Sequence, residues 1–141
     1  MLRNVTRVCG TVFACIFLLQ IIQCGGPNLY KRQRRLQTAA GSYNEKLRWQ
    51  KYGAASSYIK KEQRRDFLKT FEPLRDIYQI TEIRVISAEL DEEDETRGTT
   101  QVWITYYRFP DATLKKELLE QSWEYDERRG WLLDWEPEKK E

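Results

Sequence analysis

Histidine is absent from this chain of 141 residues. That removes the commonest general base and the commonest metal ligand in proteins. The three cysteines, Cys9, Cys15 and Cys24, all fall in the first 24 residues. The remainder therefore has no internal disulfide and no zinc-thiolate centre. A glycine-rich phosphate cradle, a nucleophile elbow and a Cys/His cluster are missing as well, and no internal repeat is visible. Excess charge of one sign is also lacking. The formal net charge of +2 comes from Arg3 and Arg7, and beyond Cys24 basic and acidic side chains balance at 22 each. A neutral domain has no overall basic character for sequence-independent nucleic-acid binding, so no nucleic-acid partner is expected.

What is present suffices for one folded domain with a short appendage. Charged residues make up 33% of the chain, and five Trp, eight Tyr and five Phe supply a core, which excludes general disorder. The amino terminus has a different texture. Residues 1–7 carry two arginines and no acid, and residues 8–22 are almost wholly apolar. A positive n-region followed by an apolar h-region is the layout of a secretory signal. The apolar run has about 15 residues, where a transmembrane helix needs ~20. An uncleaved membrane anchor is the second reading.

The run stops at "IIQCGG", which resembles a bacterial lipoprotein signal, with an aliphatic residue three places before an obligatory cysteine. Ile21 holds the aliphatic position, and Gln23 stands where the family normally has a small residue. The resemblance implies a signal peptide over 1–23, lipid attachment at Cys24, and cleavage just before it. Gly25 rather than Asp follows the cysteine, which in that family implies the outer membrane rather than the inner. The cysteine distribution agrees, because proteins maturing outside the cytoplasm avoid stray thiols. Residues 24–41 read as a lipidated tether and basic linker. Gly25, Gly26, Pro27 and Asn28 disfavour regular structure. Lys31, Arg32, Arg34 and Arg35 are suited either to solvation or to anionic headgroups, at ~1 kcal/mol each.

The folded part is expected over 42–136, with 137–141 a frayed tail. Ser42 and Glu45 have the spacing of a capping box. Tyr43, Leu47, Ala54 and Tyr58, with Tyr52, Ala55 and Ile59 beside them, recur at helical intervals. A second helix over 62–71 offers Phe67, Leu68 and Phe71, and Pro73 ends it. Residues 80–90 and 99–109 read as strands, separated by the acidic turn 89–95 and Gly98. Residues 114–125 read as a third strand, because Leu119, Gln121, Trp123 and Tyr125 alternate with Glu120, Ser122 and Glu124. Residues 126–130 form a hairpin loop with Gly130 where a positive φ is useful, and Trp131, Leu133 and Trp135 alternate in a last strand. Helices followed by strands give an α+β class: N-terminal helices packed on a curved antiparallel sheet of about four strands.

This order, with Tyr52 and Tyr58 on the first helix, Phe67 and Phe71 leading into "ITEIRV", and the closing "SWEYDERRGWLLD", resembles the nuclear-transport-factor-2-like cone of ketosteroid isomerases and polyketide cyclases. The chain lacks the extra helix and strand that the family often carries before its meander. The isomerase branch uses a carboxylate base with Tyr and protonated Asp donors in an apolar cavity. Asp76, Tyr78 and Tyr106 are the weak pocket candidates here. Trp103, Tyr107, Trp123, Tyr125, Trp131 and Trp135 are candidates for a ligand or partner face, or for core. The acidic run lacks EF-hand spacing, and neither a metal site nor a cofactor is expected.

Three functions remain open. The first is a lipid-anchored, non-enzymatic envelope protein whose α+β module binds an envelope partner or a second copy through its sheet. The second is a pocket protein that binds, isomerises or hydrates a small apolar ligand. The third is an uncleaved single-helix membrane protein acting in assembly.

Overall fold

The computed structural model describes residues 27–137, with the side chain of Pro27 excepted. The signal-like segment, Cys24 and residues 138–141 lie outside them. The elements are α1 (Pro27–Arg48), α2 (Tyr52–Ser56), α3 (Arg64–Phe71), a 3-10 turn (Glu72–Leu74), and strands β1 (Tyr78–Leu90), β2 (Arg97–Arg108), β3 (Lys115–Asp126) and β4 (Gly130–Leu133). The four strands form one antiparallel sheet in the order β1-β2-β3-β4. The class is α+β, with a helix packed on a curved four-stranded sheet.

The helix begins at Pro27, not at Ser42. Residues 27–41 are therefore helical and not a linker. Proline suits a first helical turn, where its missing N–H is unpaired in any case, and Lys, Arg, Gln and Leu are good helix formers. The decisive force is burial. Leu36, Ala40, Tyr43, Asn44 and Leu47 form one buried stripe at helical spacing. Ser42 and Glu45 consequently lie inside a running helix and do not cap its start; the Ser42 carbonyl instead accepts from Lys46 Nζ at 3.5 Å.

The apolar periodicity runs on past Arg48, but the helix does not. Gln50 adopts φ 53°, its N–H donates to the Leu47 carbonyl at 2.9 Å, and the Lys51 N–H donates to the Lys46 carbonyl at 2.8 Å. This is a Schellman-type stop built without glycine. A left-handed residue other than glycine costs ~1–2 kcal/mol. Two tertiary hydrogen bonds offset it: Gln50 Nε2 donates to the Tyr78 carbonyl at 3.0 Å, and Arg75 Nη1 donates to the Gln50 carbonyl at 2.9 Å.

Strand β1 bends over the helix by two register shifts. Pairing steps from Ile80↔Tyr106 to Glu82↔Thr105, and from Val85↔Val102 to Ser87↔Gln101. Thr81 and Ile86 are thereby extra residues, and each such bulge kinks and twists its strand. The shifts keep Ile80, Ile83, Val85, Ala88 and Leu90 directed at the core, while Ile86 is left exposed. The ambiguous segment 114–125 is strand, paired with β2 from Tyr106↔Lys115 to Arg97↔Glu124. Gly130 closes the β3–β4 hairpin at φ +81°, and the Asp126 carboxylate accepts from the N–H groups of Arg128 and Arg129 at 2.9 and 2.8 Å. Trp135 lies beyond β4. It packs on Phe67 and Phe71, with ring centroids 5.6 and 6.4 Å away.

Candidate functional site

The concave side of the sheet is filled by α1. Its polar interior is a chain of side chains in mutual contact. Asn44 Nδ2 donates to Gln121 Oε1 at 3.0 Å, and Gln121 Nε2 returns a bond to Asn44 Oδ1 at 2.9 Å. Thr100 Oγ1 donates to Gln121 Oε1 at 3.2 Å, and Trp123 Nε1 donates to Thr100 Oγ1 at 3.0 Å. All four residues are buried, and among the described residues no buried side-chain nitrogen or oxygen lacks a partner. A satisfied network of this kind rigidifies a core. It contains no carboxylate and offers no acid or base to a substrate. Burial also raises the Tyr43 phenol above its ordinary pKa, so this hydroxyl is a neutral core group that packs edge-on to Trp123 at 5.9 Å.

A surface recess lies outside that core. An open groove of about 630 Å³ runs between α1, the segment after α2, and the β3–β4 hairpin. Lys31, Arg34 and Arg35 border it on the helix, and Arg129 borders it on the hairpin, with Tyr58, Tyr125 and Trp131 forming aromatic walls. Among the described residues no aspartate or glutamate lines it. Backbone bonds fix its walls: the Leu133 N–H donates to the Tyr58 carbonyl at 2.7 Å, and the Lys60 N–H to the Leu133 carbonyl at 3.2 Å. Trp131 Nε1 donates to the Arg32 carbonyl at 3.2 Å, which ties β4 to α1. Arg32 itself stands over the Tyr125 ring at 4.9 Å and pairs with Glu95 at 3.7 Å. Among the described residues the other four cations have no carboxylate partner.

Beside the groove, a latch fastens β4 to the loop before α3. Lys60 Nζ lies 2.5 Å from Glu124 and 2.9 Å from Asp134, while Gln63 Nε2 donates to Asp134 at 2.6 Å. The hydrogen bonds from Gln63 and Lys60 hold the Asp134 carboxyl below the usual carboxylate range, against a smaller opposing effect of burial. Burial works against the Lys60 charge, but its bonds to Glu124 and Asp134 outweigh it and raise the pKa.

The residues expected to make one aromatic face are divided between two. Trp103 and Tyr107 stand on the convex side: Val102 and Ile104, which flank Trp103, are buried, and Tyr107 falls on the Trp103 side of the same alternation. Lys116 Nζ lies over the Trp103 ring at 4.8 Å, and Tyr107 packs against Phe109. Trp123 and Trp131 are buried on the concave side, where Tyr125 is half-buried 5.3 Å from Trp131. Trp135 belongs to the α3 cluster. Only Tyr125 and Trp131 of the six reach the groove.

The weak pocket candidates do not converge on a cavity. Asp76 is exposed in the turn before β1, and its neighbour Arg75 pairs with Glu72 at 2.6 Å. Tyr78 and Tyr106 pack ring to ring at 4.8 Å, and the Tyr106 hydroxyl donates to Glu117 at 2.5 Å. In the acidic turn, the Asp91 carboxylate accepts from the Glu93 and Asp94 N–H groups at 2.8 and 3.2 Å, and the Asp94 carboxylate from the Thr96 N–H at 2.9 Å. These carboxylates hold the turn's shape.

A linker reading of residues 31–35 hides the groove in the sequence. Its signal is the spacing of Lys31, Arg34, Arg35, Thr38 and Ser42, which is one helix stripe. Comparison of the chain with protein-family models, with curated proteins and with solved structures finds no match.

Proposed function

We propose that this chain is a lipid-anchored, non-enzymatic protein of the bacterial cell envelope, in which Cys24 carries the anchor and the α+β module serves as a binding unit. The observation that carries the non-enzymatic reading is the filling of the concave face by α1. The buried polar chain Asn44–Gln121–Thr100–Trp123 uses its donors and acceptors on itself, where a pocket enzyme of the cone type needs an apolar chamber with a carboxylate inside. The order of three helices followed by an antiparallel meander, with a bulged first strand, supports a nuclear-transport-factor-2-like cone in shortened form. No described helix is long and apolar enough to cross a membrane, and the anchor reading rests on the sequence "IIQCGG" alone. The outer membrane is favoured by Gly25 following the cysteine.

The test is the intact mass of the protein made in a bacterial host. Cleavage before Cys24, together with an added diacylglyceryl group, is the expected result, and Cys24→Ala should accumulate as unprocessed precursor. An uncleaved chain with a bare thiol would replace this reading with the membrane-helix one.

A further inference from the structure

We infer that the groove between α1 and the β3–β4 hairpin binds the phosphate-bearing headgroup of an anionic lipid. Charge segregation is the first argument. In a domain whose acids and bases balance, four cations face one recess of about 630 Å³, and no carboxylate among the described residues lines it. Asp126, at the start of the hairpin loop, accepts from the Arg128 and Arg129 N–H groups, and the Arg129 side chain, which borders the groove, has no ion-pair partner among the described residues. Glu95 is engaged by Arg32.

Like charges brought together without counter-charge repel one another, and a bound anion removes that repulsion. Guanidinium groups suit phosphate because they donate in a planar fork.

The aromatic walls narrow the ligand class. A free inorganic phosphate has no use for Tyr58, Tyr125 and Trp131, whereas a headgroup carries a glycerol backbone and the start of its acyl chains beside the phosphate. Aromatic rings with one apolar body and one polar edge favour that boundary. The groove lining also includes Ser42, Tyr58 and Tyr125, whose hydroxyls have no hydrogen-bond acceptor among the described residues and suit the glycerol oxygens. The source of the headgroup follows from the preceding proposal, on which this inference rests in part. Lys31 stands seven residues after Cys24 in the sequence, so an acyl anchor there keeps the groove near a bilayer surface.

The experiment uses the full chain purified in a non-ionic detergent, followed through the indole N–H resonances of its tryptophans. The Trp131 indole is the reporter, because it borders the groove and bonds to the Arg32 carbonyl; the exposed Trp49 and Trp103 are internal controls. Short-chain phosphatidylglycerol should shift the Trp131 resonance saturably and leave the controls in place. Phosphatidylcholine of the same chain length should bind at least tenfold more weakly.

Arg35→Gln and Arg129→Gln should each weaken phosphatidylglycerol about fivefold, the effect of one cation at an anionic lipid surface. Arg65→Gln, on α3 away from the groove, should leave affinity unchanged. Absence of a saturable shift overturns the inference, as does a shift that survives both groove substitutions. Inorganic phosphate binding as tightly as the lipid overturns the headgroup assignment and makes the groove a free-phosphate site. The detergent measurement does not depend on acylation, and the mass measurement on Cys24 does not depend on the groove, so either reading can fail alone.

Discussion

Gly98 of β2 lies directly under Leu36 of α1: a Cβ on Gly98 would stand 2.5 Å from Leu36 Cδ2 and 2.9 Å from the Glu89 carbonyl oxygen. The glycine is needed here for its lack of a side chain, which lets the helix settle into the sheet. Its backbone cannot retreat, because it is paired on one side with Leu90 and on the other with Trp123. Gly98→Ala should therefore destabilise by about 1–3 kcal/mol, the range for overpacking a tight core. Chemical denaturation measures this. The double variant with Leu36→Ala should be less destabilised than the sum of the two single changes, since removing Leu36 removes one of the two clashes. Additive losses would mean that the contact is not the cause.

The buried amide pair makes a second case. Asn44 and Gln121 exchange two hydrogen bonds across 77 positions of sequence. Truncating one leaves the other buried with unpaired polar groups, which costs about 1–3 kcal/mol. Replacing both with apolar residues of similar size, Asn44→Leu with Gln121→Leu, removes the unpaired groups. The double variant should lose less stability than either Asn44→Leu or Gln121→Leu predicts when the two are added. Losses that add without coupling would show that the pair contributes no more than packing.

The tryptophans separate by face, and their substitution should do the same. Trp123 is 2% exposed and touches Tyr43 and Thr100. Trp123→Ala should cost about 3–5 kcal/mol, the usual range for a large aromatic core truncation. Trp103 is 37% exposed with Lys116 over its ring, a cation–π contact worth ~0.5–1 kcal/mol at an exposed site. Trp103→Ala should stay near that smaller figure in urea titration. Equal losses would place both rings in one core.

The sequence carried the meander well and the helices less well. Alternation at Leu119, Gln121, Trp123 and Tyr125 located β3, although "LKKELLEQ" by itself suits a helix, because a period of two is incompatible with a helical face. Gly130 announced the hairpin through the one backbone conformation that favours glycine. The start of α1 was hidden for a physical reason. Pro27, Lys31, Arg32, Arg34 and Arg35 show almost no apolar periodicity of their own, and it is Leu36 and Ala40, buried by a strand some sixty positions away, that make the segment worth folding. The stop at Gln50 was equally silent, since a left-handed Gln is held by Arg75 and Tyr78 from elsewhere in the chain. The six aromatics looked alike in sequence; the register that pairs Gly98 with Trp123, and so sets Trp103 and Tyr107 on the opposite face, and the end of β4 before Trp135 decide which face each one meets. The groove joins residues 31–35 to residue 129, and no local pattern records that proximity.

The latch at Lys60 gives the molecule a pH dependence of definite sign. Asp134 has a folded pKa below its unfolded value, because Gln63 and Lys60 bond to the ionised form. Its contribution to stability is fully present above the unfolded value, ~3.9, and is lost as the pH falls through the folded value. Lys60 has a folded pKa above its unfolded value, so its contribution is present below ~10.4 and is lost as the pH rises through the folded value. Between those limits both terms are constant. Asp94 and Asp111, also held below the usual carboxylate range by bonds from Thr96 and Thr113, lose stability over the same acid interval, so the wild-type curve alone does not isolate the latch. The difference between wild type and Asp134→Asn does. Asp134→Asn should melt at a lower temperature than wild type at neutral pH, and the gap should close as the pH is lowered below about 4, where the wild-type carboxyl is itself neutralised. Thermal melts at pH 3, 5, 7 and 9 measure it. A gap that stays constant from pH 7 to pH 3 would mean that Asp134 acts through shape alone and that its charge contributes nothing to holding β4 against the loop before α3.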